Sequence, residues 1–258
     1  MKEHKDGAGN PSGTATFWEH LDELRSVIVK AIIAVAFFAI LAFYFKELLF
    51  DIVLAPRTSD FISYRVLGFE PFSLHLMNIG LTEQFMVHMK IAFVAGILLA
   101  APYLIWLVFS YISPALYDNE RRYAGLIIGS ASFMFLIGIL VCYFLVFPLT
   151  VRFLGTYQVS DVVANMLTLD SYVDTLLLLS MFMGIVFELP VLCMILAQAG
   201  FINAPLMSRY RRHVIVVILI VAAIITPTTD VFTLLVVALP ICLLYEISIL
   251  MIKLRQKE

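Results

Sequence analysis

Carboxylates hold most of the chemistry this chain could do. Glu188 stands inside LLLLSMFMGIVFELP (176–190), a run with no other charge. Placing a carboxylate at mid-bilayer costs about 2.5–3.5 kcal/mol on insertion scales, so such residues face other helices or a water-filled cavity. Glu188 therefore reads either as an intramembrane polar contact or as a protonated or hydrogen-bonded tie between helices. Pro190 frees a carbonyl one turn earlier and can kink the helix beside it. A second group consists of Glu19, Asp22 and Glu23, just ahead of the first apolar segment, with Glu120 in a short polar loop. Carboxylates accept paired, charge-assisted hydrogen bonds from guanidinium groups, so this patch suits a cationic peptide. Two further acids read as structural. Asp230 sits where an N-cap would start the last helix. Glu246, near the end of that helix, can snorkel or pair with Lys253.

Other reactive types do not assemble into a site. Cys142, Cys193 and Cys242 each lie in an apolar run and behave as small hydrophobes. The five histidines are scattered, and no phosphate-binding loop, dinucleotide fingerprint or H-E-x-x-H occurs. The chain reads as a non-enzyme without metal or cofactor. With a net charge of −2 it has no basic surface for nucleic acid.

The elements that hold these residues must be membrane helices. Apolar residues make up 62% of 258 positions and charged residues 14%, against about 45–50% and 25% in soluble domains. Backbone groups in lipid must be satisfied within their own segment, so each crossing is helical. The expected fold is all-α and polytopic, with six transmembrane helices at about 27–45, 87–110, 123–147, 173–199, 214–225 and 231–252. Residues 1–16 read as a disordered tail, 17–252 as one membrane domain, and 253–258 as a C-terminal tail. The 46–83 connection, with Pro56 in it, is expected to hold short interfacial helices. Pro102 falls inside the second span. Pro148 closes the third, followed by a second external loop at 149–172. The last two spans are short: 214–225 covers only about 18 Å against a hydrocarbon core of about 30 Å. Either flanking residues snorkel or the bilayer thins there. Small residues at Ala92/Gly96/Ala100 and Gly125/Gly129 would permit close helix approach.

Charge sets the orientation. Most of the 17 Lys and Arg, among them Lys2, Arg25, Arg121, Arg122, Arg209, Arg211, Arg212 and Lys253, share one side with the termini. Lys46, Arg57, Arg65, Lys90 and Arg152 fall on the other. The positive-inside rule then puts both termini in the cytoplasm. On these features alone, a secondary transporter or channel with an ion site at Glu188 is the competing class; it would favour internal repeats, and none is evident.

Six motifs in order carry a resemblance. HLDELR at 20–25, LAP at 54–56, SPALYDNERR at 113–122, YFLVFP at 143–148, FELP at 187–190 and LPICLLYE at 239–246 are similar to signatures of the TatC family. The resemblance runs over about 17–252. TPTTD at 226–230 is one residue longer than the family's T-P-P-D, and the 57–83 loop matches only loosely. The resemblance implies a concave six-helix bundle in the bacterial cytoplasmic membrane. It implies a receptor that binds twin-arginine signal peptides and exports folded proteins on the proton gradient, without covalent chemistry. Glu23 and Glu120 would then meet the two arginines, with Leu24, Arg25, Tyr111, Arg121 and Arg122 shaping the site. Tyr111 stands where the family often has Phe. Glu188 would be the intramembrane contact, with TatA- and TatB-type single-span subunits, further copies of the chain and membrane lipid as partners.

Overall fold

The computed structural model describes residues 17–69, 72, 74–112, 124–157, 166–226 and 230–255. The expected tail at 1–16 and the loop bearing Glu120, Arg121 and Arg122 lie outside the described residues, as do 227–229 of the TPTTD turn. The fold is all-α. Helix α1, Phe17–Tyr44, runs antiparallel to α4, Glu83–Ile112. The two approach closely where Gly96 faces Ala39: a Cβ at Gly96 would lie 2.7 Å from the Ala39 amide nitrogen. Ala92 and Ala100, one turn to either side, are buried. The second small-residue pair differs, because Cβ atoms at Gly125 or Gly129 would meet nothing within 4 Å. Spacing alone could not separate a packed glycine from a lipid-facing one. Pro102 sits inside α4 with its ring exposed. It removes one ladder bond without ending the helix.

Between α1 and α4 lie the short helices expected there: α2, Lys46–Leu54, a 3₁₀ turn, Ala55–Arg57, and α3, Ile62–Val66. A two-residue strand β1, Leu76–Met77, pairs in parallel with β2, Leu167–Thr168, with Leu76 opposite Leu167. Nothing in the sequence pattern signals so short a strand.

The third span departs from expectation. Helix α5, Ala124–Val141, continues through a π-helical turn, Cys142–Val146, into α6, Phe147–Thr156. Pro148 does not close it, and the expected external loop starts eight residues later. The π turn is the reason. The Phe147 amide reaches back to the Cys142 carbonyl, and this widened ladder leaves Pro148 in the first turn of α6, where its missing N–H is not needed.

Helix α7, Leu169–Val186, and α8, Leu189–Gln198, form one broken span with the break at Phe187 and Glu188. Gly138 packs on this span: a Cβ there would lie 2.6 Å from the Met183 carbonyl oxygen, and one at Gly184 2.7 Å from the Phe135 ring. After Gly200, in the left-handed region at φ +80, come α9, Ala204–Ile225, and α10, Val231–Arg255. Asn203 caps α9 by accepting the Leu206 N–H at 2.8 Å. Asp230 caps α10 by accepting the Thr233 N–H at 2.6 Å. The helix continues past 252 to Arg255.

Among the described residues five stretches are long and apolar enough to cross a membrane: Leu21–Tyr44, Glu83–Tyr111, Gly125–Thr156, Leu169–Gln198 and Val231–Arg255. Helix α9 falls outside that set, its first half carrying Arg209, Arg211, Arg212 and His213. The buried core, including Val87, Val146, Phe147, Leu179, Met183 and Val237, joins α4, α6, α7 and α10. Helix α1 stands outside this core, with Ile32, Ile33, Phe37 and Ile40 exposed.

Candidate functional site

At the end of the molecule where α1 begins, Glu23 and Arg25 are exposed and Leu24 is half-buried. Tyr111 lies, half-buried, in the last turn of α4. Two contacts fix the register between these helices. Ala39 meets Gly96, and the Phe43 ring stacks on His88 at 4.1 Å between centroids. Followed at 1.5 Å per residue, that antiparallel register carries Glu23 to the level of Tyr111. The structure thus brings Glu23, Leu24, Arg25 and Tyr111 to one end. Glu120, Arg121 and Arg122 lie outside the described residues, in the segment that follows α4 and precedes α5.

Glu188 occupies the break between α7 and α8. The Leu192 amide donates to its carbonyl at 2.9 Å, and Pro190 sits in the first turn beyond. Its side chain is half-buried, and its buried Oε1 has no hydrogen-bond partner. A polar atom in that state lacks several kcal/mol of compensation unless water or another chain supplies it. Along α4 and α7 runs an open apolar groove of about 550 Å³, lined by Phe93, Val94, Leu177, Leu178, Met181 and Phe182. It starts at Lys90 and Asp174 and ends at Ile185, one turn of chain before Glu188. Among the described residues no group of three His, Cys, Asp or Glu could hold a metal ion.

The opposite end is locked. Three tyrosine hydroxyls converge on the last turn of α2 and the turn after it, where end-of-helix carbonyls have acceptor capacity to spare. Tyr143 donates to the Ile52 carbonyl at 2.6 Å and Tyr172 to that of Val53 at 3.1 Å. Tyr64 shares its proton between the carbonyls of Pro56 at 2.9 Å and Pro148 at 3.1 Å. Burial pushes the Tyr64 hydroxyl above the ordinary tyrosine range, with Arg152 opposing weakly, so it remains a donor at any working pH. Two of the sequence motifs, the A-P and F-P elements, therefore meet on one residue that sequence reasoning passed over. The Arg152 guanidinium lies 3.7 Å from the centre of the Phe69 ring, a cation–π contact.

Lys90 bridges the same end, 2.7 Å from Asp170 and 2.9 Å from Asp174. Glu83 accepts the amides of Gly80 at 2.8 Å and Asp170 at 3.3 Å. Sequence reasoning took Lys90 only as an external charge. A lysine in a span needs a partner, and Asp170 and Asp174, one turn apart at the start of the fourth span, were the available signal. Glu246 lies near the other end and pairs with Arg211 of α9 at 2.7 Å. Intrahelical spacing to Lys253 could not reveal that cross-helix partner. Next to it, the Tyr245 hydroxyl donates to the Met207 carbonyl at 2.9 Å.

The profile of the family described as Sec-independent protein translocase protein (TatC) matches residues 19–240. The chain belongs to the TatC family. A TatC relative from Carboxydothermus hydrogenoformans is 34% identical over 92% of this chain and 93% of its own. One from Aquifex aeolicus is 33% identical over 93% and 95% respectively. A solved TatC structure described as a twin arginine translocase receptor is 34% identical and superposes with a TM-score of 0.76. That match covers 92% of this chain and 99% of the other. The family is one of protein translocase components and not of enzymes.

Proposed function

We propose that this chain is the receptor subunit of a twin-arginine translocase, with six crossings and both termini in the cytoplasm of a bacterial cell. In this reading α9 supplies the sixth crossing. Glu23 and Glu120 each take one guanidinium of the paired arginines, with Leu24, Arg25, Tyr111, Arg121 and Arg122 around them. The observation that supports it is the level of Glu23. Its carboxylate is exposed beside the end of α4, from which the segment bearing Glu120 departs. Two carboxylates at one water boundary provide paired, charge-assisted bonds, and one alone cannot hold a dipeptide in register. The apolar groove between α4 and α7 suits the hydrophobic stretch of such a peptide. Glu188, with an oxygen lacking a partner, is the contact offered to single-span TatA- and TatB-type subunits. Folded substrates cross at the expense of the proton gradient.

Photocrosslinking of a twin-arginine peptide to the purified protein tests this reading. Glu120→Lys turns attraction into repulsion and should lower binding at least about 100-fold, since interfacial charge pairs couple by several kcal/mol. Undiminished crosslinking would overturn the assignment. The purified Glu188→Ala variant should keep peptide capture, while membrane vesicles that hold it with the single-span subunits and a proton gradient should show lower export; wild-type export there would reduce Glu188 to a packing residue.

A further inference from the structure

Helix α9 carries its charges in the first half of a continuous 22-residue helix. Arg209, Arg211 and Arg212 are all exposed. Arg211 is neutralised by Glu246. Arg209 and Arg212 have no carboxylate partner among the described residues. They lie one turn apart on a stripe that continues through Val216 and Ile220, which are 55% and 54% exposed. One face of α9 therefore passes from two unpaired guanidiniums directly to bare apolar surface. Glu246 is the one acid on the facing stretch of α10, and it is already engaged. Charge complementarity and the apolar continuation together describe an amphiphile with an anionic head.

Depth sharpens this. The Arg211–Glu246 and Met207–Tyr245 contacts bring the arginine turn of α9 level with the stretch of α10 around Glu246. Lys253 follows seven residues later, about 10 Å further along the helix axis. Two tiers of cations result, Lys253 and Arg255 at the rim and Arg209 and Arg212 about 10 Å above it. A headgroup at the upper tier must be drawn inward from the leaflet.

We propose that Arg209 and Arg212 bind the phosphate of an anionic glycerophospholipid from the leaflet at this end, its chains lying along Val216 and Ile220. The lipid held there brings the leaflet surface up to the short apolar half of α9. The inference rests on α9 crossing the bilayer and is independent of how the signal peptide binds.

Native mass spectrometry of the full-length protein, titrated with phosphatidylglycerol or phosphatidylcholine in detergent, tests it. The wild type should retain phosphatidylglycerol at least about tenfold better, and R209Q/R212Q should lose that preference, at roughly fivefold per arginine. R209K/R212K, which keeps both charges, should retain most of it, and so should K253Q/R255Q at the lower tier. A folded R209Q/R212Q protein with unchanged preference overturns the proposal. If that variant instead loses a co-purifying single-span protein, the arginines belong to a protein interface. Displacement of the lipid by equimolar inorganic phosphate equally overturns it, by showing a site for a free anion. Cysteines at Ser208 and Val231, both exposed, introduced into a cysteine-free protein and labelled in sealed vesicles, should react from opposite sides. Labelling from one side removes the crossing and the proposal with it, whatever the peptide assays give.

Discussion

The two ends of this molecule differ in how far their polar groups are paired within the chain. At the end bearing α2 and α3, many polar groups are paired within the chain, although the buried Thr150 Oγ1 and Arg152 Nη1 have no hydrogen-bond partner among the described residues. Three tyrosines cap the carbonyls around the end of α2, Lys90 is held by two aspartates, Glu83 ties α4 to the start of α7, and Arg152 lies on Phe69. At the end where α1 begins, Glu23, Arg25, Arg209 and Arg212 face outward. Satisfied polar networks rigidify and specify one arrangement, whereas exposed charges stay within reach of a ligand. A receptor for a charged peptide needs both: a fixed frame at one boundary and solvent-exposed charge at the other.

That contrast predicts how substitutions divide. Gly96→Leu has the largest expected effect. It drives a side chain into the Ala39 backbone and should cost about 3 kcal/mol, lowering both thermal stability in detergent and peptide binding, because α1 carries Glu23. Gly125→Leu, with open space around it, should be near neutral; equal losses at the two positions would dissolve the distinction. Tyr64→Phe comes next. It strips two buried proline carbonyls of their donor and should cost about 2 kcal/mol, seen as a lower melting temperature. Peptide binding at the far end should be unchanged, and a matching drop would mean that the ends are not independent. Lys90→Met is smallest. Its partners are about half exposed, so about 1 kcal/mol is expected, and Lys90→Met/Asp174→Asn should recover part of it.

Much of the fold was legible because lipid imposes strong rules. Apolar runs of span length must be helices, and loop composition at 46–83 required interfacial pieces. The end of the third span was misjudged at Pro148. A proline is a stop signal only where its missing N–H matters, and the π turn before it leaves no trace in composition. The tyrosine clamp was illegible for a related reason: Tyr64 and Tyr172 reach carbonyls 8 and 119 residues away, and hydroxyl-to-carbonyl pairing has no sequence period. Asp230 was readable as a cap because capping is local. Glu246 was recognised as structural, but its partner Arg211 lies on another helix. The candidate site stood out through motif order. The α1–α4 register that brings Glu23 to Tyr111 needed Gly96 and His88 in place.

In the proposed receptor, two acidic side chains far apart in sequence, Glu23 and Glu120, stand together at one water boundary. Spin labels at Asp22 and Asn119, flanking Glu23 and Glu120 without removing either carboxylate, measure this directly by pulsed electron resonance in a cysteine-free background. The expected separation is under about 20 Å, narrowing when a twin-arginine peptide is added. A separation beyond about 30 Å, the thickness of the hydrocarbon core, would place the two carboxylates on opposite faces and contradict the account.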